Sequence, residues 1–234
     1  LINGIKMNII DFVDCGDSYN YAPNPIDAGE EFKILRTKVV LDTPLRVGLR
    51  IDFEGKWDAI SLVVTLDKGA ENLKFKFNWE NSRKNHLLCV RFELKEPIRE
   101  VFSEDMNQLI KREFNSEYDI RKNLPKERGK EAVNNTAPMQ RGLLIDEEVN
   151  NIGIIVKGLT QYEIFKNNLM IPILRATGQI SNPQNTARTT PAGPPLEVND
   201  LQMFGTNTAE FHVFFGNQNA FCDTINNVYN YIVV

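Results

Sequence analysis

Leu73-Lys74-Phe75-Lys76-Phe77-Asn78-Trp79-Glu80 decides the fold class of this chain. Large apolar side chains alternate with charged or polar ones. Successive side chains of a strand point to opposite faces, so this segment has one dry face and one wet face. The same period of two recurs at Val47, Leu49, Ile51 and Phe53, at Ile60, Leu62, Val64 and Leu66, and at Leu88, Val90, Phe92 and Leu94. Turn-forming pieces separate the runs: Glu54-Gly55-Lys56, Asp67-Lys68-Gly69 and Asn81 to Asn85. Such spacing predicts antiparallel meanders with one solvated face.

Beyond residue 100 the pattern loosens. Residues 104–135 are rich in Lys, Arg, Glu and Asn, which predicts a long surface excursion with a short helical turn near Met106–Arg112. Strand-like runs resume at Gly142–Ile145, Gly153–Val156, Leu169–Leu174 and Thr208–Phe215, and residues 219–230 suit a short helix or turn. Between the last two runs, Asn182–Asp200 carries Pro183, Pro191, Pro194 and Pro195. Proline lacks an amide donor and fixes φ, so this stretch is no interior strand. A loop of that length is usually functional or disordered. The sum is an all-β chain, a large antiparallel β-sandwich with little helix, read as a single domain over residues 1–234.

Composition supports a packed core: 42% of the 234 residues are apolar and 9% aromatic. With 27 positive and 31 negative side chains the net charge is −4, which gives no electrostatic reason to expect nucleic acid or an anionic membrane as partner. No apolar run approaches the roughly 20 residues of a membrane span. Cys15, Cys89 and Cys222 are isolated and odd in number, which fits a reduced, cytoplasmic setting better than a disulfide framework. Asn134-Asn135-Thr136 matches a glycosylation acceptor, a pattern common by chance. The start has no initiator Met and no signal-peptide pattern, and the end is apolar and strand-like, so the chain is expected to be a fragment.

Nucleotide-binding glycine loops and a GxSxG elbow are absent from the sequence. His86 and His212 are the only histidines and lie far apart, so a metal site with several His or Cys ligands is hard to assemble. His212 alternates with Phe211 and Val213, which reads as a wet-face histidine or one satisfied by neighbouring groups. Glycosidases need only two suitably placed carboxylates. Asp14, Asp17, Asp146, Glu147 and Glu148 are available, and spacing alone does not separate them from ordinary loop acids.

Three segments add a resemblance. Asp14-Cys15-Gly16-Asp17-Ser18-Tyr19-Asn20-Tyr21-Ala22-Pro23 resembles the stretch that opens the C-terminal β region of family 38 α-mannosidases. Arg141-Gly142-Leu143-Leu144-Ile145 with Gly158-Leu159-Thr160-Gln161-Tyr162-Glu163 is similar to a second motif of that family. Leu169 to Gly178, followed by Thr190-Pro191-Ala192-Gly193-Pro194-Pro195, resembles a third. The strand and turn at Val63 to Gly69 also match. Residues 104–135 match nothing in the family, and Asn199–Gly205 replaces a Cys-containing piece.

The resemblance implies a galactose-mutarotase-like supersandwich that follows a catalytic barrel in the longer polypeptide. It implies α-mannoside hydrolysis there, with zinc and the catalytic acids supplied by the barrel. This chain alone is expected to be inactive, with no catalytic residue and no metal or cofactor of its own. Its implied partners are the barrel and a mannose-containing oligosaccharide. Tyr19 and Arg175 occupy the positions of residues that contact the sugar, with Asp17 beside them. From the residues alone, Tyr19 could equally pack on the first strand, Arg175 could pair with Glu163 or Asp146, and Asp17 could form a turn. Two other classes stay open: a free-standing carbohydrate-binding or interaction module, and a complete mutarotase-like enzyme, which two separated histidines disfavour. A lectin needs a groove with several exposed aromatics, for which Trp57 and Trp79 are poor candidates; Trp79 belongs to the apolar face of its strand. The barrel reading further predicts an exposed apolar patch.

Overall fold

The computed structural model describes residues 4–115, 117–133, 135–146 and 151–230. Its elements in chain order are β1 (Lys6–Val13), β2 (Glu30–Glu31), β3 (Lys33–Asp42), β4 (Arg46–Glu54), β5 (Ala59–Asp67), β6 (Asn72–Asn81), β7 (His86–Glu93), β8 (Glu100–Asp105), β9 (Gln108–Glu113), β10 (Thr136–Pro138), β11 (Gly142–Asp146), β12 (Asn151–Lys157), β13 (Gln161–Phe165), β14 (Asn168–Ala176), β15 (Gly205–Phe214) and helix α1 (Gln218–Asn230). They form two antiparallel sheets. One runs β3-β4-β5-β6-β15-β12-β11-β8-β9, the other β10-β13-β14-β7-β1-β2.

The alternation that opened the sequence reading is what closes the sandwich. Phe75, Phe77 and Trp79 of β6 turn inward and are buried, while Lys74 and Lys76 face out. Phe211 of β15 stacks on Phe75 with ring centroids 5.4 Å apart, and meets Phe92 of the opposite sheet edge-on at 6.0 Å. One aromatic thus spans the two layers. Burial of each such ring is worth about 1.5–3 kcal/mol. Trp57, by contrast, is 58% exposed, with Lys56 over its ring at 4.7 Å.

Each sheet also covers part of its outer face. Ile10, Phe12, Leu87, Cys89 and Met170 form a small cluster behind the six-stranded sheet. Behind the nine-stranded sheet, Phe221 and Ile225 of α1 pack on Leu144, Ile155 and Phe214. Gly153 permits that contact, because a Cβ there would lie 2.7 Å from the Phe221 ring.

The helical turn expected near Met106–Arg112 is not formed. Glu100–Asp105 and Gln108–Glu113 pair instead as a hairpin at the edge of the nine-stranded sheet. Met106 and Asn107, both with positive φ, make its two-residue turn, a conformation usually signalled by Gly or Asn-Gly. Asn134 of the glycosylation pattern, Glu147, Glu148 and the apolar terminus from 231 lie outside the described residues, as does the Asp146 side chain. No helix among the described residues is long and apolar enough to cross a membrane.

The far edge of the nine-stranded sheet is left uncovered. Val39, Leu41, Val47, Leu49, Val64 and Leu66 line a shallow hollow of about 360 Å³ on the inward side of β3, β4 and β5. Val39 is 61% exposed, and Leu35, Val47 and Leu49 are exposed as well.

Candidate functional site

The motif around Tyr19 occupies the loop that leaves β1. An isolated bridge pairs Asp14 with Pro23, and the Cys15 amide donates to the Ala22 carbonyl at 2.8 Å. Asp17 closes the tip: its Oδ1 accepts from the Tyr19 amide at 3.0 Å and the Asn20 amide at 3.2 Å. This is the self-bonded turn that Asp-Ser-Tyr-Asn suggested. Gly16 is required here, since a Cβ would come within 2.0 Å of the Asn20 carbonyl oxygen.

The Pro-rich segment after β14 packs against that loop through polar groups. The Ser18 amide donates to the Gln179 carbonyl at 3.0 Å, and Asn182 donates its amide to Asp17 Oδ2 at 2.6 Å. Arg188 joins the two segments. Its Nη1 donates to Asp17 Oδ1 at 3.0 Å and Asn20 Oδ1 at 2.6 Å. Its Nη2 donates to Asp17 Oδ2 and, at 3.1 Å, to Ser181 Oγ, while Nε reaches the Thr190 carbonyl at 3.0 Å. All five guanidinium donors have acceptors, which is what a buried cation requires. Burial alone would raise the Asp17 pKa, but hydrogen bonds from Arg188 and the backbone amides outweigh it and bring the carboxyl to about 2.

Arg175 lies at the end of β14 and pairs with Asp14, not with Glu163. Its Nε donates to Asp14 Oδ2 at 2.8 Å and its Nη2 to the Asp17 carbonyl at 2.5 Å. The Gly16 amide also donates to Asp14, at 2.7 Å. Burial pushes the Asp14 carboxyl above its ordinary value, against the pull of Arg175.

The three sequence candidates therefore share one place but differ in access. Tyr19 is 54% exposed and stands with its ring 5.7 Å from the Arg188 guanidinium carbon. The Arg175 side chain is 24% exposed. Asp17 is fully buried, so it bears on this surface through Tyr19 and Arg188. Gly193 lies close: a Cβ there would approach the Tyr19 hydroxyl to 3.0 Å. Sequence reasoning passed over Arg188, whose one signal was being the sole Lys or Arg within Asn182–Asp200.

A second buried network backs the loop. His86 Nδ1 lies 2.8 Å from Asp11 Oδ1 and its Nε2 lies 3.1 Å from Asn81 Oδ1. The Asn81 amide nitrogen donates to the Gln202 carbonyl at 2.9 Å, and Gln202 in turn brackets Asn85, whose carbonyl accepts from the Asp14 amide. His212 sits on the outer side of β15 yet is largely buried. Desolvation, with Lys157 nearby, lowers its pKa to about 4. Among the described residues no three His, Cys, Asp or Glu side chains gather where they could hold a metal ion.

No protein-family model matches the chain. Over 97% of its length it superposes on a glycosyl hydrolase family 38 protein from Enterococcus faecalis, with a TM-score of 0.76 and 14% identity. It has the fold of part of a family 38 glycosyl hydrolase. An α-mannosidase from Enterococcus faecalis V583 gives a TM-score of 0.71 over 94% of the chain, again at 14% identity. The chain covers 28% and 27% of those two proteins. A Halalkalibacterium halodurans protein, provisionally named mannosylglycerate hydrolase, is 24% identical over 148 residues, which are 63% of this chain and 14% of that protein. At 14% identity these superpositions show the fold, which is the one that the motif resemblance implied.

Proposed function

We propose that this chain is the β-sandwich portion of a family 38 α-mannosidase, packed on a catalytic domain and lending Tyr19 and Arg175 to the rim of its sugar site. The observation that carries the reading is the presentation of Tyr19. A loop tip tied by buried Asp17 and Arg188 holds the Tyr19 phenol out to solvent, and Arg175, at the end of β14, binds the same tip with its side chain 24% exposed. A phenol offers donor, acceptor and an aromatic face, and a guanidinium offers a planar fork; both suit sugar hydroxyls. The uncovered apolar edge at β3, β4 and β5 supports a packing partner, because large exposed apolar patches mark interaction surfaces. Zinc and the catalytic carboxylates belong to the proposed catalytic domain, and mannose-containing oligosaccharide is the proposed substrate. The test is hydrolysis of an aryl α-mannoside with added zinc. Turnover by the longer polypeptide and none by these 234 residues is the expected result. Turnover by the 234 residues alone overturns the reading.

A further inference from the structure

Asp14, the ion-pair partner of Arg175, also lines a cleft of about 310 Å³, at the small end of ligand pockets. Six of its lining side chains are carboxamides: Asn85, Gln179, Asn182, Gln184, Asn199 and Gln202. No aromatic or branched aliphatic residue lines it, so an apolar ligand finds nothing to bury against. Lys84 and Glu197 contribute one charge of each sign, and Asp14 is already paired with Arg175, so a strongly charged ligand finds no net field. What remains is a neutral ligand rich in hydroxyls. A hydroxyl both donates and accepts, and each carboxamide does the same.

Several of these amides hold the walls. Asn182 Nδ2 donates to the Cys15 carbonyl at 3.0 Å, and Gln202 brackets Asn85. Gln179 differs: its Oε1 is buried and has no hydrogen-bond donor among the described residues. A buried acceptor left without a donor is costly, and a side-chain rotation toward a bound hydroxyl would satisfy it. Gln184 and Asn199 are exposed at the mouth.

We propose that this cleft is a second sugar subsite, taking a neutral hydroxyl-rich unit of the mannoside through Gln179 and the amides at its mouth. The inference rests on the rim reading above, and it adds the direction of the substrate. Asp14 of the cleft wall pairs with Arg175, whose Nη2 donates to the Asp17 carbonyl two residues before Tyr19, so the cleft adjoins the loop that carries Tyr19. A monosaccharide held at Tyr19 leaves the cleft empty, whereas a disaccharide reaches both. With no aromatic face in the cleft, recognition is by hydroxyl edges alone and is weak.

The experiment is a ¹H–¹⁵N NMR titration of the 234-residue chain with methyl α-mannoside and with an α-linked mannobiose. Both sugars are expected to shift Tyr19, and only the disaccharide to shift Gln179, Gln184 and Asn199. Gln179→Met should weaken disaccharide binding about two- to tenfold, the loss of one hydrogen bond, and leave the monosaccharide response unchanged. Asn199→Ala, at an exposed position, serves as the second variant if Gln179→Met does not fold. Shifts at Tyr19 alone with both sugars overturn the cleft and leave the rim reading standing. Shifts at neither place overturn both, and shifts in the cleft alone keep the subsite and remove the rim.

Discussion

The edge formed by β3, β4 and β5 and the Pro-rich segment from Gly178 to Val198 order themselves in opposite ways. The edge is regular β-sheet, with β3 and β4 paired along their length, yet most of β3 faces water. On its surface Arg36 of β3 pairs with Asp52 of β4 at 2.5 Å. The Pro-rich segment forms no strand, yet Ser181, Asn185 and Arg188 within it are buried. Backbone regularity and side-chain burial are thus separate sources of order. The edge takes its shape from neighbouring strands, and the loop takes its shape from polar contacts gathered round a saturated, buried guanidinium. The two should therefore respond very differently to substitution.

The largest effect belongs to the loop. Arg188→Ala leaves the Asp17 carboxylate buried without its counter-ion, a change that costs about 3–5 kcal/mol. Urea unfolding should show that loss, and Asp17→Ala combined with Arg188→Ala should cost less than the sum of the two single changes. A loss below about 1 kcal/mol for Arg188→Ala would break the comparison, because the loop would then owe its shape to something else.

Acid should act on the same pair. Asp17 has a folded-state pKa of about 2, below its ordinary 3.8, so the unfolded chain binds this proton more readily. Its stabilisation, about 2 kcal/mol, is complete above pH 4 and is lost as pH falls through 2. Asp14 works in the other sense: its raised carboxyl favours the folded state at low pH, and that contribution fades as pH rises. Removing the Asp17 term with Asp17→Asn should therefore flatten the fall in urea midpoint between pH 4 and pH 2.5. An unchanged slope would mean that Asp17 does not carry it.

A smaller effect is expected at the exposed end of the same assembly. Tyr19→Phe keeps the ring over Arg188 and removes only the hydroxyl. In the longer polypeptide it should lower turnover of an α-mannoside about two- to tenfold, with an unchanged unfolding midpoint. An unchanged rate would take Tyr19 off the rim.

These contrasts also mark what was readable beforehand. β4 to β7 were legible because alternation and turn chemistry agreed there, and a strand's period is a local property. The hairpin of β8 and β9 was hidden by its turn, since neither Met106 nor Asn107 is the glycine that left-handed backbone ordinarily calls for. The position of Tyr19 came from a motif. Its support did not, because Asp17 and Arg188 are 171 residues apart and no local pattern pairs them. Long-range polar pairing has no periodicity to read, and Arg175 with Asp14, 161 residues apart, is a second such pair.

The smallest effect sharpens the other half of the comparison. Val39 is 61% exposed on the open edge, so Val39→Lys removes little buried area and should change the stability of these 234 residues by no more than about 0.5 kcal/mol. Set against the loss expected from Arg188→Ala, that indifference is what separates a strand ordered by its ladder from a loop ordered by a buried charge. The same change should be felt where the edge is covered. In the longer polypeptide, burying a lysine against a docked domain carries a desolvation cost that the free edge never meets. A fall in unfolding midpoint for Val39→Lys in the longer polypeptide, with none in the 234 residues, identifies the edge as an interface. An equal response in both leaves the edge in water and turns the search for the packing surface toward the loops around Tyr19.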